Sequence, residues 1–392
     1  MPLPLEGIKI LDLSRTLPGL FCTQLLADFG AEIIKIENKG GDQGRWANPL
    51  IGESSARFYA VNRNKKSITL DLKREEGKSA FKRLVASSDV VVDGFRPGVM
   101  EKLGLDYNAL KNINQGIVYC ALNGFGSTGP LRSFAAHDIN ILSMAGVTGL
   151  TGTSDGNPGM SPVQLAGTAG GSLYAVIAIL IALIYRQQTG QGQFCDVSML
   201  DGTISLLAFT LAEWSGWGRL PQRGKELITG GYAFSQIYET SDSRYVSVGA
   251  AEPKFWEEFC LRIGLPEYIT TQRRPEMQAQ MIENINTRIK QKSQAEWMDI
   301  FNDANICFTP VLEVDEMCEH PQVVARDMII KLSNFKGSGK DMVWAGLPVK
   351  LSASPGQVKL TFPKPGEHTT EVLTSAGYTA KEIELLKITG VI

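Results

Sequence analysis

The chain has 392 residues, 43% of them apolar and 20% charged, with 39 Lys and Arg against 41 Asp and Glu and a net charge of −2. That length exceeds one simple core and points to two domains or one elaborate α/β unit. The balanced charge excludes a basic field for nucleic acid, so any anionic ligand must be held by local groups.

The N-terminal run Ile8 to Leu13 reads as a strand, followed by the loop Ser14 to Gly19 and a helix from about Leu20 to Phe29. Gly30 is placed to end that helix, because a left-handed residue costs glycine nothing. Ala31 to Glu37 is the next strand, and strand, helix, strand at this spacing predicts a parallel sheet with a right-handed crossover. The alternation continues with a strand at Ser67 to Leu72, a helix at Glu75 to Ser87 and a strand at Val90 to Gly94. A short helix at Pro97 to Leu103 and a strand at Ile117 to Asn123 follow. Helices broken by glycine turns then fill the region from His137 to Arg186.

The first half is thus a doubly wound α/β pattern, in which ligands sit at the carboxyl ends of strands. Ser14-Arg15-Thr16, Phe95-Arg96-Pro97 and Gly124-Phe125-Gly126 occupy such places. No GxGxxG follows the first strand and no GxxxxGK[ST] occurs, so a dinucleotide or Walker-type site is not indicated. From about Gly230 the pattern changes to a smaller α+β domain. It has a strand at Tyr245 to Gly249 and helices at Pro253 to Ile263, Arg274 to Lys290 and Gln294 to Asn302, and the chain ends in a helix near Ala380 to Lys387. Thr229-Gly230-Gly231 reads as a hinge or close-approach turn.

Cys22, Cys120, Cys195, Cys260, Cys307 and Cys318 never fall in CxxC spacing, and there are three histidines. That argues against a metal site and for reduced, buried thiols in a cytoplasmic protein. The N-terminus shows no signal-peptide pattern. The apolar run Leu173 to Tyr185 is too short to span a bilayer and predicts a buried core helix, so no membrane role is expected.

Five stretches, in order, resemble the family III CoA-transferase and 2-methylacyl-CoA racemase superfamily. They are Leu11 to Arg15 with Cys22 to Glu32; Asn62 to Ser67 with Leu70 to Lys73; Phe95 to Gly98 with Leu103-Gly104; Thr189 to Gln193 with Asp196 to Ser198; and Gly366 to Thr369. The resemblance implies an α/β fold, a Rossmann-like large domain plus a smaller α+β domain, in an interlocked dimer. Residues 1–225 would be the large CoA-binding domain, 226–330 the small domain, and 331–392 a return to the large one.

It also implies coenzyme A as ligand, held at Thr16, Leu17, Leu70, Lys73, Gly94, Phe95, Arg96 and Lys102. The chemistry agrees: Arg and Lys pair with phosphate and an aromatic ring stacks on adenine. Asn38 stands where family members often carry an arginine.

Transferases of this superfamily use an aspartate that attacks the acyl-CoA carbonyl, since a carboxylate is both nucleophile and leaving group. Counting back from Ser172-Leu173-Tyr174-Ala175, that position is Thr168, and a threonine hydroxyl cannot form the anhydride. The glycines at 167, 170 and 171 suggest that the helix approaches a ligand closely there. Racemases pair the same aspartate with a histidine. His137 matches that histidine and Glu252 an acidic residue near it, although His137 also suits a helix-start role.

The first reading is therefore the silent subunit of a heteromer of the benzylsuccinate CoA-transferase type, moving CoA between an acyl-CoA such as succinyl-CoA and a carboxylic acid. Its partner would be a paralogous subunit that carries the aspartate. The alternatives are a racemase-like enzyme using His137 and a non-enzymatic CoA-binding protein.

Overall fold

The structure is a computed structural model that describes residues 2–392. The chain divides into two compact units. One comprises residues 2–145, 163–206 and 321–392; the other comprises 146–162 and 207–320.

The first unit is built on a six-stranded parallel sheet of β1 (Lys9–Asp12), β2 (Glu32–Glu37), β3 (Lys65–Thr69), β4 (Val90–Asp93), β5 (Val118–Asn123) and β6 (Phe194–Ser198), in the order β3-β2-β1-β4-β5-β6. The central strands β4 and β5, VVVD and VYCALN, read as near-continuous apolar runs because helices cover both faces of the sheet. On one face Leu11, Ile34, Ile68, Val91 and Tyr119 pack with Phe81, Leu84 and Leu373; on the other Ile10, Ile33, Val92, Cys120 and Val197 pack with Leu26, Ile179 and Leu183. Gly30 ends helix α1 (Leu17–Asp28) at φ +104, as its position predicts. The crossover helix α2 (Glu75–Val85) is amphipathic and buries Ala80, Phe81, Leu84 and Val85.

Charged side chains are buried beside this sheet. Lys65 Nζ lies 3.2 Å from Asp12 Oδ2 and also donates to Thr23 Oγ1, Asn62 Oδ1 and the Leu20 carbonyl. Burial pushes the Lys65 ammonium down to about 8, against the opposing pull of Asp12. Arg63 forks onto Asp28, Lys35 pairs with Asp42 at 2.7 Å, and Arg45 pairs with Glu37 at 2.5 Å. The run Asn62 to Ser67 is thus largely internal scaffold. The closing motif docks on the free edge of β3: Gly366 donates to Ser67 Oγ at 2.9 Å, and Thr69 N–H donates to Thr369 Oγ1 at 3.1 Å.

The apolar helix is longer than its sequence run suggests. A π-helical segment, Ala166–Leu173, continues directly into helix α3 (Tyr174–Thr189). The 24 residues are long and apolar enough, by length and composition, to cross a membrane. Here Ala175, Ile179, Ala182 and Leu183 face the sheet, while Ile177, Ile181, Ile184 and Tyr185 are exposed, so the helix is only partly a core element. The glycines in its first turns serve protein packing. A Cβ at Gly170 would lie 2.8 Å from the Met199 carbonyl, and one at Gly202 only 2.0 Å from the Gly170 carbonyl. At Gly170 and Gly171 close approach is therefore to helix α4 (Met199–Ser205), while Gly167 lies against Pro18 and Asp138.

The second unit has an antiparallel sheet of β7 (Ser235–Glu239), β8 (Tyr245–Gly249) and β9 (Phe308–Pro310), in the order β9-β8-β7. Helices Pro253–Ile263, Gln278–Ile289 and Gln294–Ile300 pack on it around Trp256, Phe259, Met281, Ile285 and Trp297.

Candidate functional site

At the carboxyl ends of β1 to β4 the chain leaves the sheet through four loops, and these enclose a cavity of about 470 Å³. Its apolar wall is Leu13, Ile36, Leu70, Leu72, Phe95, Val99 and Leu103, and its cations are Arg15, Lys73 and Lys102. A second cavity of about 280 Å³ shares Arg15, Ile36, Glu37 and Asn38 and extends to Thr16 and Gln43. All three cations are exposed, and none forms an ion pair among the described residues. The acidic groups nearby are engaged within the protein. Glu37 binds Arg45 and Ser67, and Asp42 binds Lys35. Asp71 accepts the Lys73 backbone N–H at 2.9 Å. An apolar slot with a cationic rim suits a flat, multiply anionic molecule such as a nucleotide.

Of the predicted ligand residues, Leu70, Lys73, Phe95 and Lys102 line the larger cavity and Thr16 the smaller. Leu17 begins α1, Gly94 lies against Ser14, and exposed Arg96 gives its carbonyl to Val99 N–H; these three do not line either cavity. Arg15, expected at a ligand-bearing strand end but not named among the CoA contacts, has its guanidinium 4.6 Å from the centroid of the Phe95 ring.

Sequence reasoning missed Asp93. This carboxylate ends β4, accepts the Phe95 N–H at 2.8 Å through Oδ1 and the Tyr119 hydroxyl at 2.8 Å through Oδ2. Asp93 is therefore the buttress that sets the backbone of the Phe95 loop. Burial pushes it up to about 6, against the two hydrogen bonds that favour its charged form. The available signal was an acid closing an otherwise apolar Val90-Val91-Val92 strand.

The candidate catalytic positions are less alike. Thr168 donates its hydroxyl back to the Gln164 carbonyl at 2.8 Å, a local bond within the helix. Residues 164–172 contain no Asp or Glu, so that turn presents no carboxylate of its own. The carboxylate beside it comes from Asp138, whose Oδ1 accepts the Gly167 N–H at 2.8 Å. His137 is exposed and stands at the N-cap of Asp138–Met144, where its N–H donates to Asn140 Oδ1 at 2.9 Å. Glu252 lies in the second unit, at the N-cap of Pro253–Ile263.

A parallel α/β sheet with a cation-rimmed, apolar slot at its strand ends is the class of fold and site that suits a nucleotide-like anion. The comparisons with known proteins narrow the class. The model of CoA-transferase family III matches residues 5–369. The chain is 34% identical to the alpha-methylacyl-CoA racemase of Homo sapiens, covering 97% of this chain and 95% of that one. It is 32% identical to the succinyl-CoA--D-citramalate CoA-transferase of Chloroflexus aurantiacus, covering 100% and 98%. A crystal structure of a CAIB/BAIF family protein from Brucella suis superposes with a TM-score of 0.84 at 32% identity, covering 96% and 100%. The chain belongs to CoA-transferase family III.

Proposed function

We propose that the chain is an acyl-CoA-binding subunit of a family III CoA-transferase, and that a second, related chain supplies the nucleophilic aspartate. The assembly moves CoA from an acyl-CoA, such as succinyl-CoA, to a carboxylic acid in the cytoplasm. The observation that carries this reading is a contrast within one unit. The nucleotide slot keeps Lys73, Phe95 and Lys102 in place, while residues 164–172 hold no carboxylate. Coenzyme A would lay its adenine against the apolar wall and its phosphates on the cationic rim.

Exposed apolar surface supports a partner. Ile177, Ile181 and Ile184 form one uncovered face of α3, and the helix Ala208–Trp217 buries none of its residues, with Phe209 84% exposed. Surfaces of this kind mark interfaces. An interlocked arrangement with a paralogue would cover them.

The test is purification from the native source, followed by turnover with the single chain and with the complex. Transfer by the complex alone, with a hydroxylamine-sensitive adduct on the partner, is expected. Turnover by the single chain with the adduct on this chain would end the silent-subunit reading. A second reading, racemisation of a 2-methylacyl-CoA, is favoured by exposed His137 beside Asp138, and by the racemases among the relatives. Deuterium exchange at the α-carbon by the single chain distinguishes it.

A further inference from the structure

We propose that Arg15 is the phosphate-pairing cation of the nucleotide slot, in the place that Asn38 leaves without charge. The inference rests on the CoA reading above and adds a residue to it. Asn38, at the end of β2, lines both cavities and carries no charge. Arg15, at the end of β1, lines the same two cavities. It is the residue through which a ligand spanning both would meet a cation.

Arg15 is also uncommitted. Arg45, Arg63, Arg74, Arg83 and Arg186 in the same unit each face a carboxylate. Arg15 faces none among the described residues and touches the Phe95 ring instead, at 4.6 Å. That contact keeps the guanidinium beside Phe95, where both line the slot, and its N–H groups donate to no protein acceptor among the described residues. A planar fork held in this way is pre-organised for two parallel hydrogen bonds to a phosphate. A lysine at the same position would supply charge without the fork.

Coenzyme A carries two anionic groups that this cation can take, the 3′-phosphate of the ribose and the 5′-diphosphate. The chemistry is the same, and the ligand series separates them.

The experiment is titration calorimetry of the full chain, in its native complex where one is found, with CoA and with dephospho-CoA. Arg15→Ala should weaken CoA about ten- to hundredfold, the range for losing a hydrogen bond to a charged group. Arg15→Lys should recover part of that loss. Lys39→Ala, which removes a nearby exposed cation outside both cavities, should stay within about twofold of the parent, a margin well below one charge-assisted bond. Should Arg15→Ala bind dephospho-CoA as the parent does, the 3′-phosphate is the partner; an equal loss for both ligands assigns the diphosphate.

Arg15→Ala binding CoA like the parent, while Lys102→Ala weakens it, would overturn the role of Arg15 and leave the CoA reading intact. Equal losses for Arg15→Ala and Lys39→Ala would reduce the effect to general charge and overturn it too. No CoA binding by the parent would remove the CoA reading itself.

Discussion

Asp93 gives the sharpest stability prediction. Its carboxyl is buried at the end of β4 and titrates at about 6 instead of 3.8. Because the folded-state value is raised, the neutral form favours folding. That stability is fully present below about pH 4 and is lost as the pH rises through 6. The difference corresponds to about 3 kcal/mol at 1.36 kcal/mol per pH unit. Asp93→Asn keeps the shape, can accept the Phe95 N–H and can donate to Tyr119 Oη, yet never ionises. Relative to the parent it should therefore gain stability between pH 4 and 7 by up to about 3 kcal/mol. Urea unfolding of both proteins at half-unit pH steps measures the difference directly. Parallel curves for parent and variant across that window would refute the reasoning, since they would mean that Asp93 releases its proton equally easily folded and unfolded. A companion readout is CoA affinity. Asp93→Ala removes the acceptor for Phe95 N–H and should loosen the slot, whereas Asp93→Asn should preserve it.

Three further outcomes are expected. Lys65→Met strands the buried carboxylate of Asp12 and should cost about 3–5 kcal/mol in chemical unfolding; a loss below about 1 kcal/mol would mean that Asp12 finds another partner or a proton. Gly202→Ala forces a methyl to within 2.0 Å of the Gly170 carbonyl and should cost about 1–3 kcal/mol, read as a lower melting temperature; an unchanged melt would show that the two helices separate freely. The purified chain should scatter light as a dimer or larger at micromolar concentration, because α3 and the helix Ala208–Trp217 expose wide apolar faces; a monodisperse monomer would contradict it.

The strand-helix-strand start of the large unit was legible because its apolar runs and Gly30 carry their own punctuation. The third strand was misplaced for a physical reason. Lys65 and Lys66 look like surface residues, so the strand appears to begin at Ser67, but Lys65 is buried against Asp12 and pairing starts there. At its far end Leu70 to Leu72 look like strand, whereas pairing stops at Thr69 and these residues turn to line the slot. The sixth strand, Phe194–Ser198, escaped notice because it is five residues on an edge, with Phe194 and Asp196 exposed. The slot itself was legible mainly through family resemblance. Arg15 was legible only as part of the Ser14-Arg15-Thr16 turn and Asp93 not at all, since their contacts are to neighbours brought close by folding: Phe95 in both cases, with Tyr119 a second partner of Asp93. The Asp138 to Gly167 bond joins residues 29 apart, and no local pattern encodes it.

One stretch shows how scaffold and ligand roles divide along a single run. In Asn62 to Lys73 the first half is spent inside the protein. Arg63 forks onto Asp28 and gives Nη1 to the Ala345 carbonyl at 2.9 Å, tying the C-terminal return to the sheet. Lys65 neutralises Asp12, and Ser67 bonds Glu37 and the Gly366 N–H. These contacts account for the residue types without any ligand. The second half differs. Leu70 and Leu72 reach the slot, and Lys73 ends in solvent with its ammonium unpaired. The packing of the fold gives no reason for a cation at Lys73, at Lys102 across the same slot, or at Arg15 above Phe95. An anion seated between them would, and the match of CoA-transferase family III to residues 5–369 is what points to coenzyme A as that anion.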